Sequence, residues 1–376
     1  MIYFDNSATS YPKPPSVLKH TSNALRRFSF NSGRGGYRES IACAEKIFSV
    51  RQELAELFGF EAQNVVFTKN CTEALNIAIK GSVKKGEHVI ISSLEHNSVY
   101  RVVHSLFVDD IIDYDIAQFS FDEEQTVSNF EKLIKDNTSL IVCMHSSNVF
   151  GVSFPIKEIG ALCKRYGIRF IVDGAQGAGV ADINAKRDNI DILCCAGHKS
   201  LFGPMGSGFM AFGDGVKIFP VLQGGTGSES LSPIQPEYSP DRFESGTLSN
   251  PAIIGLGEGV RYIKQMGMDK IYSHELELTS FLYDELKAIE NVQLYAPKPE
   301  FNKCAPIISF NLNDYSSEKT ADLFAKHNIC LRAGYHCSPL AHRSFKTIGR
   351  GTVRISPGLF NSFKECYSFM NVVKKL

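Results

Sequence analysis

The sequence has no surplus of either charge, because forty lysines and arginines balance forty aspartates and glutamates. A polyanion binder usually shows a basic excess or a clustered basic face, so no nucleic-acid partner is expected. A single small phosphate site remains compatible with neutrality. No apolar run reaches the roughly 20 residues that span a bilayer, and no membrane partner is expected. The opening Met1-Ile2-Tyr3-Phe4-Asp5 lacks the basic start of a signal peptide. A soluble, cytoplasmic protein is the expectation. There is also no CxxC pair and no secreted-module spacing, although the chain has ten cysteines. Cys143 and the pair Cys194-Cys195 lie in apolar segments and read as small buried thiols of a reducing compartment. Repeats and low-complexity tracts are missing as well.

What is present is ordinary in bulk: 376 residues, 43% hydrophobic and 21% charged, enough for a large core and two domains. Short β-rich runs alternate with helical stretches. Val65 to Thr68 precedes a helix-like Thr72 to Ile79. His88 to Ser92, Ser139 to Met144, Arg169 to Asp173 and Ile190 to Cys194 read as further strands. These runs are continuously apolar, the pattern of strands buried on both faces of a mostly parallel sheet. Pro155 to Tyr166 reads as a helix closed by Gly167. The pattern predicts an α/β layered fold.

After about residue 250 the pattern changes. Two helical stretches, 253–266 and 269–290, lead into a mixed succession: a strand from Pro306 to Phe310, a helix from Glu318 to His327, a strand from Val353 to Ser356 and a final helix. The predicted division is a large α/β domain at 15–257 and a smaller α+β C-terminal domain at 258–376, joined by residues 1–14. The Gly/Ser/Pro-rich stretch 223–240 reads as one long loop, a length that usually marks function or disorder.

Three segments carry chemistry. Ile171-Val172-Asp173-Gly174 sets an acid where a buried strand meets a glycine-rich turn, and ligands of open α/β sheets bind at strand carboxyl ends. Alone, Asp173 is equally well a turn or cap residue. Ala196-Gly197-His198-Lys199 places a lysine after the next strand. Lysine is rarely buried unless it is paired or reactive, and desolvation frees its amine to condense with an aldehyde. An exposed loop lysine is the plainer alternative. Acid and lysine together raise pyridoxal phosphate, whose aldehyde needs a lysine and whose ring nitrogen needs an acid. Thr68-Lys69-Asn70-Cys71-Thr72 runs from strand into helix, where free amides and the Thr72 hydroxyl suit a phosphate. An ordinary N-cap explains that segment too.

In chain order these segments stand among others: Tyr3-Phe4-Asp5-Asn6-Ser7-Ala8-Thr9, Glu95-His96-Asn97-Ser98, Ser147-Asn148-Val149-Phe150-Gly151, Phe243-Glu244-Ser245-Gly246-Thr247 and Val353-Arg354-Ile355-Ser356. The ordered set resembles the class V, fold-type I pyridoxal-phosphate enzymes, and within them the cysteine desulfurase and selenocysteine lyase group. The likeness covers essentially the whole chain. It is specific as a set, although no single piece is.

The resemblance implies a fold-type I transferase fold, pyridoxal phosphate as cofactor, and a homodimer. It makes Lys199 the covalent anchor of the cofactor and Asp173 the partner of its ring nitrogen. His96 would stack over the ring, and Gln176 would bond its phenolic oxygen. His198, Thr72 and the position of Cys71 would meet the phosphate, with Thr247 arriving from the neighbouring subunit. Asn148 is placed beside cofactor and substrate. Arg354 would hold the substrate carboxylate in a bidentate fork, with Arg34 coming from the N-terminal segment. Cys337 corresponds to the loop cysteine that takes sulfur from the substrate, and nearby basic groups would favour its thiolate. The short interval from Arg332 to Cys337 resembles the group with a compact catalytic loop. Taken singly, His96, Arg354 and Cys337 are a loop histidine, a surface arginine and an incidental thiol. Cys71 and Ala196 depart from the threonine and serine of many relatives, each removing a hydroxyl from the phosphate cup. The loop Gly224-Gly225-Thr226-Gly227-Ser228 departs as well.

The implied function is a cysteine desulfurase that converts L-cysteine to L-alanine, leaving a persulfide on Cys337 for a sulfur-acceptor protein. Alternatives are a selenocysteine lyase acting on L-selenocysteine, or another class V enzyme, an aminotransferase or epimerase, with Cys337 idle. A cofactor-free scaffold is opposed by the intact Lys199 and Asp173. No metal site is expected.

Overall fold

A computed structural model of the chain describes residues 1–33 and 35–376. Its centre is a seven-stranded sheet. In spatial order the strands are Val65–Thr68, Gly208–Phe212, Ile192–Ala196, Arg169–Asp173, Thr138–Met144, Glu87–Ser92 and Ile112–Ala117. Every neighbouring pair is parallel except the two formed by Gly208–Phe212. The expected mostly parallel sheet is therefore present, with one inserted antiparallel strand.

The apolar runs are continuous because both faces are covered. Ile141 and Cys143 enter one core cluster, while Leu140 and Val142 enter the other. The same period of two sends the adjacent Cys194 and Cys195 to opposite faces. Each such valine, leucine or isoleucine contributes about 1.5–3 kcal/mol by leaving water. Helix Ile156–Tyr166 ends at Gly167 in the left-handed region, φ 66°, the glycine cap read from the sequence. Helices Pro15–Arg27 and Arg38–Phe58, not anticipated from the sequence, pack on helix Asn250–Met266. The stretch 223–240 carries neither helix nor strand.

A second sheet is antiparallel, in the order Arg332–Gly334, Thr352–Ile355, Ile308–Leu312 and Val292–Leu294. Phe310, Val353 and Ile355 pack there with Leu282, Phe324 and Phe369 from three helices. Phe4 joins this core, and Ile2–Tyr3 pairs in parallel with Ile329–Cys330. The N-terminal segment thus belongs physically with residues more than 300 positions away. From there it crosses to the large sheet, where Ser10 donates to the carbonyls of His198 (3.2 Å from its amide) and Lys199 (2.9 Å from its hydroxyl).

Candidate active site

Three parallel strands end side by side at Met144, Asp173 and Ala196, and these residues line a cavity of about 200 Å³. The carboxyl edge of such a sheet is where ligands bind. Lys199, His96, Thr72 and Arg354 complete its walls, with Arg332 and His336 from the second sheet and its loop. A larger cavity of about 710 Å³ opens at the opposite strand ends, around Ile168 and Asp191, away from Lys199. The smaller one holds the converging reactive groups.

Lys199 is placed by a tight turn. A side chain at Gly197 would collide with Ser207, so only glycine lets the chain double back after strand Ile192–Ala196. Lys199 keeps some accessible surface, yet the protein around it desolvates the ammonium and lowers its pKa, with Asp173 pulling the other way. Among the described residues no carboxylate pairs with its amine. Asp173 is buried, and burial raises its pKa. Its Oδ1 accepts from the Ala175 amide at 2.9 Å and the Cys71 thiol at 3.4 Å. Its other oxygen has no partner among the described residues. A buried carboxylate with one free oxygen suits a cationic ligand atom.

The helix Cys71–Lys80 starts at the cavity. Asn70 caps the Glu73 amide at 2.9 Å, and Glu73 in turn accepts from the Lys69 amide at 2.6 Å. The amides of Cys71 and Thr72, in the first turn, remain for an anion. Nearby, His198 is held neutral by burial and by Lys199, its pKa lowered to about 4, and its buried Nδ1 has no partner among the described residues. Orphaned donors beside a free helix start fit a phosphate.

His96 caps helix Asn97–Val108. Its Nδ1 accepts from the Ser98 amide at 3.1 Å, which leaves the ring proton on Nε2. Burial and the nearby Lys199 and Arg332 push its pKa down to about 4, so the ring is neutral. A neutral flat ring can lie against an aromatic face without bringing charge.

Arg354 is 1% exposed, the largest fully buried side chain. Its Nη2 donates to Asp5 at 2.6 Å and its Nη1 to the Asn148 carbonyl at 2.7 Å, while Nε is buried without a partner among the described residues. Next to it, the loop Tyr335 to Ser338 bends through left-handed residues His336 and Cys337. Such conformations cost about 1–3 kcal/mol each. Cys337 is the exposed cysteine and does not itself line the cavity, although its neighbours Arg332 and His336 do; seven of the ten are buried and two half-buried. Arg332 lies 3.9 Å from its Sγ. His336 does not supply the neighbouring charge, because its ring turns inward and burial drives its pKa well below the ordinary value.

The structure brings Lys199, Asp173, His96, Thr72, Cys71, His198, Gln176, Asn148 and Arg354 to one cavity. Gln176 and Asn148 already have work there. Gln176 donates to the Ser7 carbonyl at 3.0 Å. The Asn148 amide donates to the His336 carbonyl at 2.9 Å and accepts from Ser338 at 2.7 Å. Cys71 turns its thiol to Asp173 rather than outward. Thr247 is exposed and stands outside the cavity of its own chain. Arg34 lies outside the described residues. Sequence reasoning gave no role to Asp5, Ser338 or Glu95. Glu95 is wholly buried and accepts from Ser92 at 2.6 Å and the Met144 amide at 2.7 Å. Only the motif positions of Asp5 and Glu95 signalled them.

Fold and site together define an α/β enzyme with a lysine–aspartate centre at the carboxyl edge of a parallel sheet. The chain belongs to the aminotransferase class-V family, whose model matches residues 2–369. It is 31% identical to a probable cysteine desulfurase of Pyrococcus abyssi, over all of this chain and 94% of that one. A probable cysteine desulfurase of Methanothermobacter thermautotrophicus is 28% identical over 97% of this chain and 92% of its own length. Among solved structures, an apo cysteine desulfurase of Thermococcus onnurineus superposes with a TM-score of 0.92 at 31% identity, covering 100% of this chain and 94% of that one. One from Escherichia coli, at 21% identity and a TM-score of 0.88 over 99% and 94% of the two chains, confirms the fold. The fold is the fold-type I transferase fold.

Proposed function

We propose that this protein is a homodimeric cysteine desulfurase that uses pyridoxal phosphate and carries sulfur from L-cysteine as a persulfide on Cys337. The single observation that carries the reading is the exposed Cys337, 3.9 Å from the guanidinium of Arg332, which itself lines the cavity that holds a desolvated lysine. The full-length likeness to named cysteine desulfurases supports it. A large domain at 15–257 and a smaller one at 258–376 with residues 1–14 is the proposed division. Ten free thiols suit the cytoplasm, and no helix among the described residues is long and apolar enough to cross a membrane.

The residues fit the cofactor. When bound, pyridoxal phosphate supplies a carbonyl for a substrate amine and an electron-withdrawing ring that weakens the substrate's bonds. Lys199, desolvated, offers the uncharged amine that reacts with a carbonyl, and the same Nζ can carry a proton from the substrate α-carbon. Asp173 would face the ring nitrogen. The first turn at Cys71 and Thr72, with His198, would hold the phosphate, joined by Thr247 of the second subunit. Arg354 would take the substrate carboxylate; its unpartnered Nε suits that ligand. Cys337 then bonds to the substrate sulfur as the carbon–sulfur bond breaks. The carbon keeps the electron pair and is protonated to give L-alanine. Arg332 offers the countercharge for the thiolate. An acceptor protein would collect the sulfur at this exposed cysteine.

The test is alanine and sulfide release from L-cysteine, run beside L-selenocysteine, with and without dithiothreitol. Mass spectrometry should find one added sulfur on the Cys337 peptide. Cys337→Ala should retain cofactor yet lose sulfur transfer. Unchanged cysteine turnover in that variant would move the protein to the lyase or aminotransferase reading.

A further inference from the structure

His336 and Cys337 are consecutive non-glycine residues with φ 51° and 58°. Side chains resist this region, so a loop held there needs restraint from outside itself. Four hydrogen bonds of 2.7–2.9 Å restrain it, with longer contacts between His336 Nε2 and the Arg332 carbonyl at 3.4 Å and between the Ser338 hydroxyl and the His336 carbonyl at 3.5 Å. The Ser338 amide donates to the Tyr335 carbonyl at 2.9 Å, and the Asn97 amide to the Cys337 carbonyl at 2.8 Å. Asn148 Nδ2 donates to the His336 carbonyl at 2.9 Å, and the Ser338 hydroxyl donates to Asn148 Oδ1 at 2.7 Å. The last two use both ends of one amide. The His336 carbonyl can only accept, so it requires Nδ2 on its side, and that leaves Oδ1 to accept from the Ser338 hydroxyl. Ser338 is 0% exposed and Asn148 6%, so water does not compete for either. The Asn148 carbonyl meanwhile accepts from Arg354 at 2.7 Å, tying the loop to the arginine of the cavity.

We infer that Ser338 is a positioning residue for sulfur acceptance: its hydroxyl locks the Asn148 amide, which holds the left-handed loop and so fixes the Cys337 sulfur beside Arg332. The role in sulfur acceptance rests on the proposed function; the loop restraint does not. Ser338 does not line the cavity, so its influence passes through Asn148 and, more weakly, through its own 3.5 Å contact with the His336 carbonyl.

The experiment uses the full-length holoenzyme and Ser338→Ala, with thermal melts to verify folding. Amide hydrogen exchange at Asn97 and at 335–338 should quicken about fivefold, the weight of one hydrogen bond, with other segments unchanged. L-cysteine turnover should fall about tenfold, because a displaced nucleophile loses alignment, while KM moves less than about twofold. In an Asn148→Ala background, Ser338→Ala should add less to exchange than it does alone, since the shared bond is gone and only the longer contact with the His336 carbonyl is left. Unchanged exchange, or fully additive effects, would overturn the clamp. Faster exchange with full turnover would overturn the positioning role. Undiminished cysteine turnover in Cys337→Ala would bring down the sulfur-acceptor reading and the positioning role with it, and the exchange rates would still decide the restraint separately.

Discussion

Arg354 and Asp5 lie 349 residues apart in the chain and 2.6 Å apart in the structure. The guanidinium is buried and the carboxylate nearly so, their side chains 1% and 20% exposed. Removing one partner of such a pair leaves an uncompensated charge in a low-dielectric interior. Asp5→Ala should therefore cost about 3 kcal/mol of stability, measured by urea denaturation. It should also raise KM for L-cysteine, because Arg354 would then be oriented for a carboxylate only by the Asn148 carbonyl. A variant as stable as the parent would mean that the pair contributes nothing net.

Lys199 is expected to be the covalent anchor. Borohydride reduction followed by peptide mapping should place the pyridoxyl label on Lys199 and on no other lysine. Lys199→Ala should lose that label and at least about 100-fold in turnover, the share of a positioned proton carrier. A label found elsewhere would sink the assignment.

Thr247 belongs to a loop whose root is fixed: Glu244 pairs with buried Arg51 at 2.8 Å and accepts from the Phe67 amide at 2.6 Å. In the proposed homodimer, its exposed tip would serve the second subunit. Thr247→Ala should weaken cofactor retention about tenfold or more, as for a hydrogen bond to a charged group, with the apo melting temperature unchanged. A fully active monomer, seen by light scattering at assay concentration, would remove this role.

Buried acids and buried histidines pull pH-dependent stability in opposite directions. Burial raises Glu95 and Glu275 from 4.5 to about 8, so the folded state binds their protons more tightly, and stability drains as pH rises from 4.5 towards 8. His96, His145 and His198 are lowered to about 4, so the unfolded state binds more protons and stability grows between pH 4 and 6.5. The two sets oppose each other below 6.5; above it the glutamates are opposed instead by the desolvated Lys199 and Lys13, whose lowered pKa values make the unfolded state the stronger proton binder. The glutamates' own contribution should fall between pH 6.5 and 8, by up to about 1.4 kcal/mol per pH unit for each acid. Glu95→Gln should remove its share of that slope. An unaltered slope in chemical denaturation would mean that Glu95 is already ionised in the fold.

The sequence by itself determined the large sheet's parallel strands and the order of its chemistry. Continuous apolar runs such as Arg169–Asp173 can be satisfied only by burial on both faces, and Gly167 ends its helix through backbone freedom that is local. Asp173 and Lys199 were legible for the same reason, since strand ends fix where they point. Strand Gly208–Phe212 was not, because a five-residue apolar run after a glycine-rich turn does not separate strand from helix by its pattern and its place depends on partners far along the chain. Side-chain partnerships were decided only by tertiary structure. Gln176 meets Ser7 across 169 positions, Cys71 meets Asp173 across 102, and Asn148 meets Ser338 across 190. Spacing along a chain says nothing about such pairs, because each is selected by the cost of burying a polar group without a partner, and that cost exists only once the fold has excluded water.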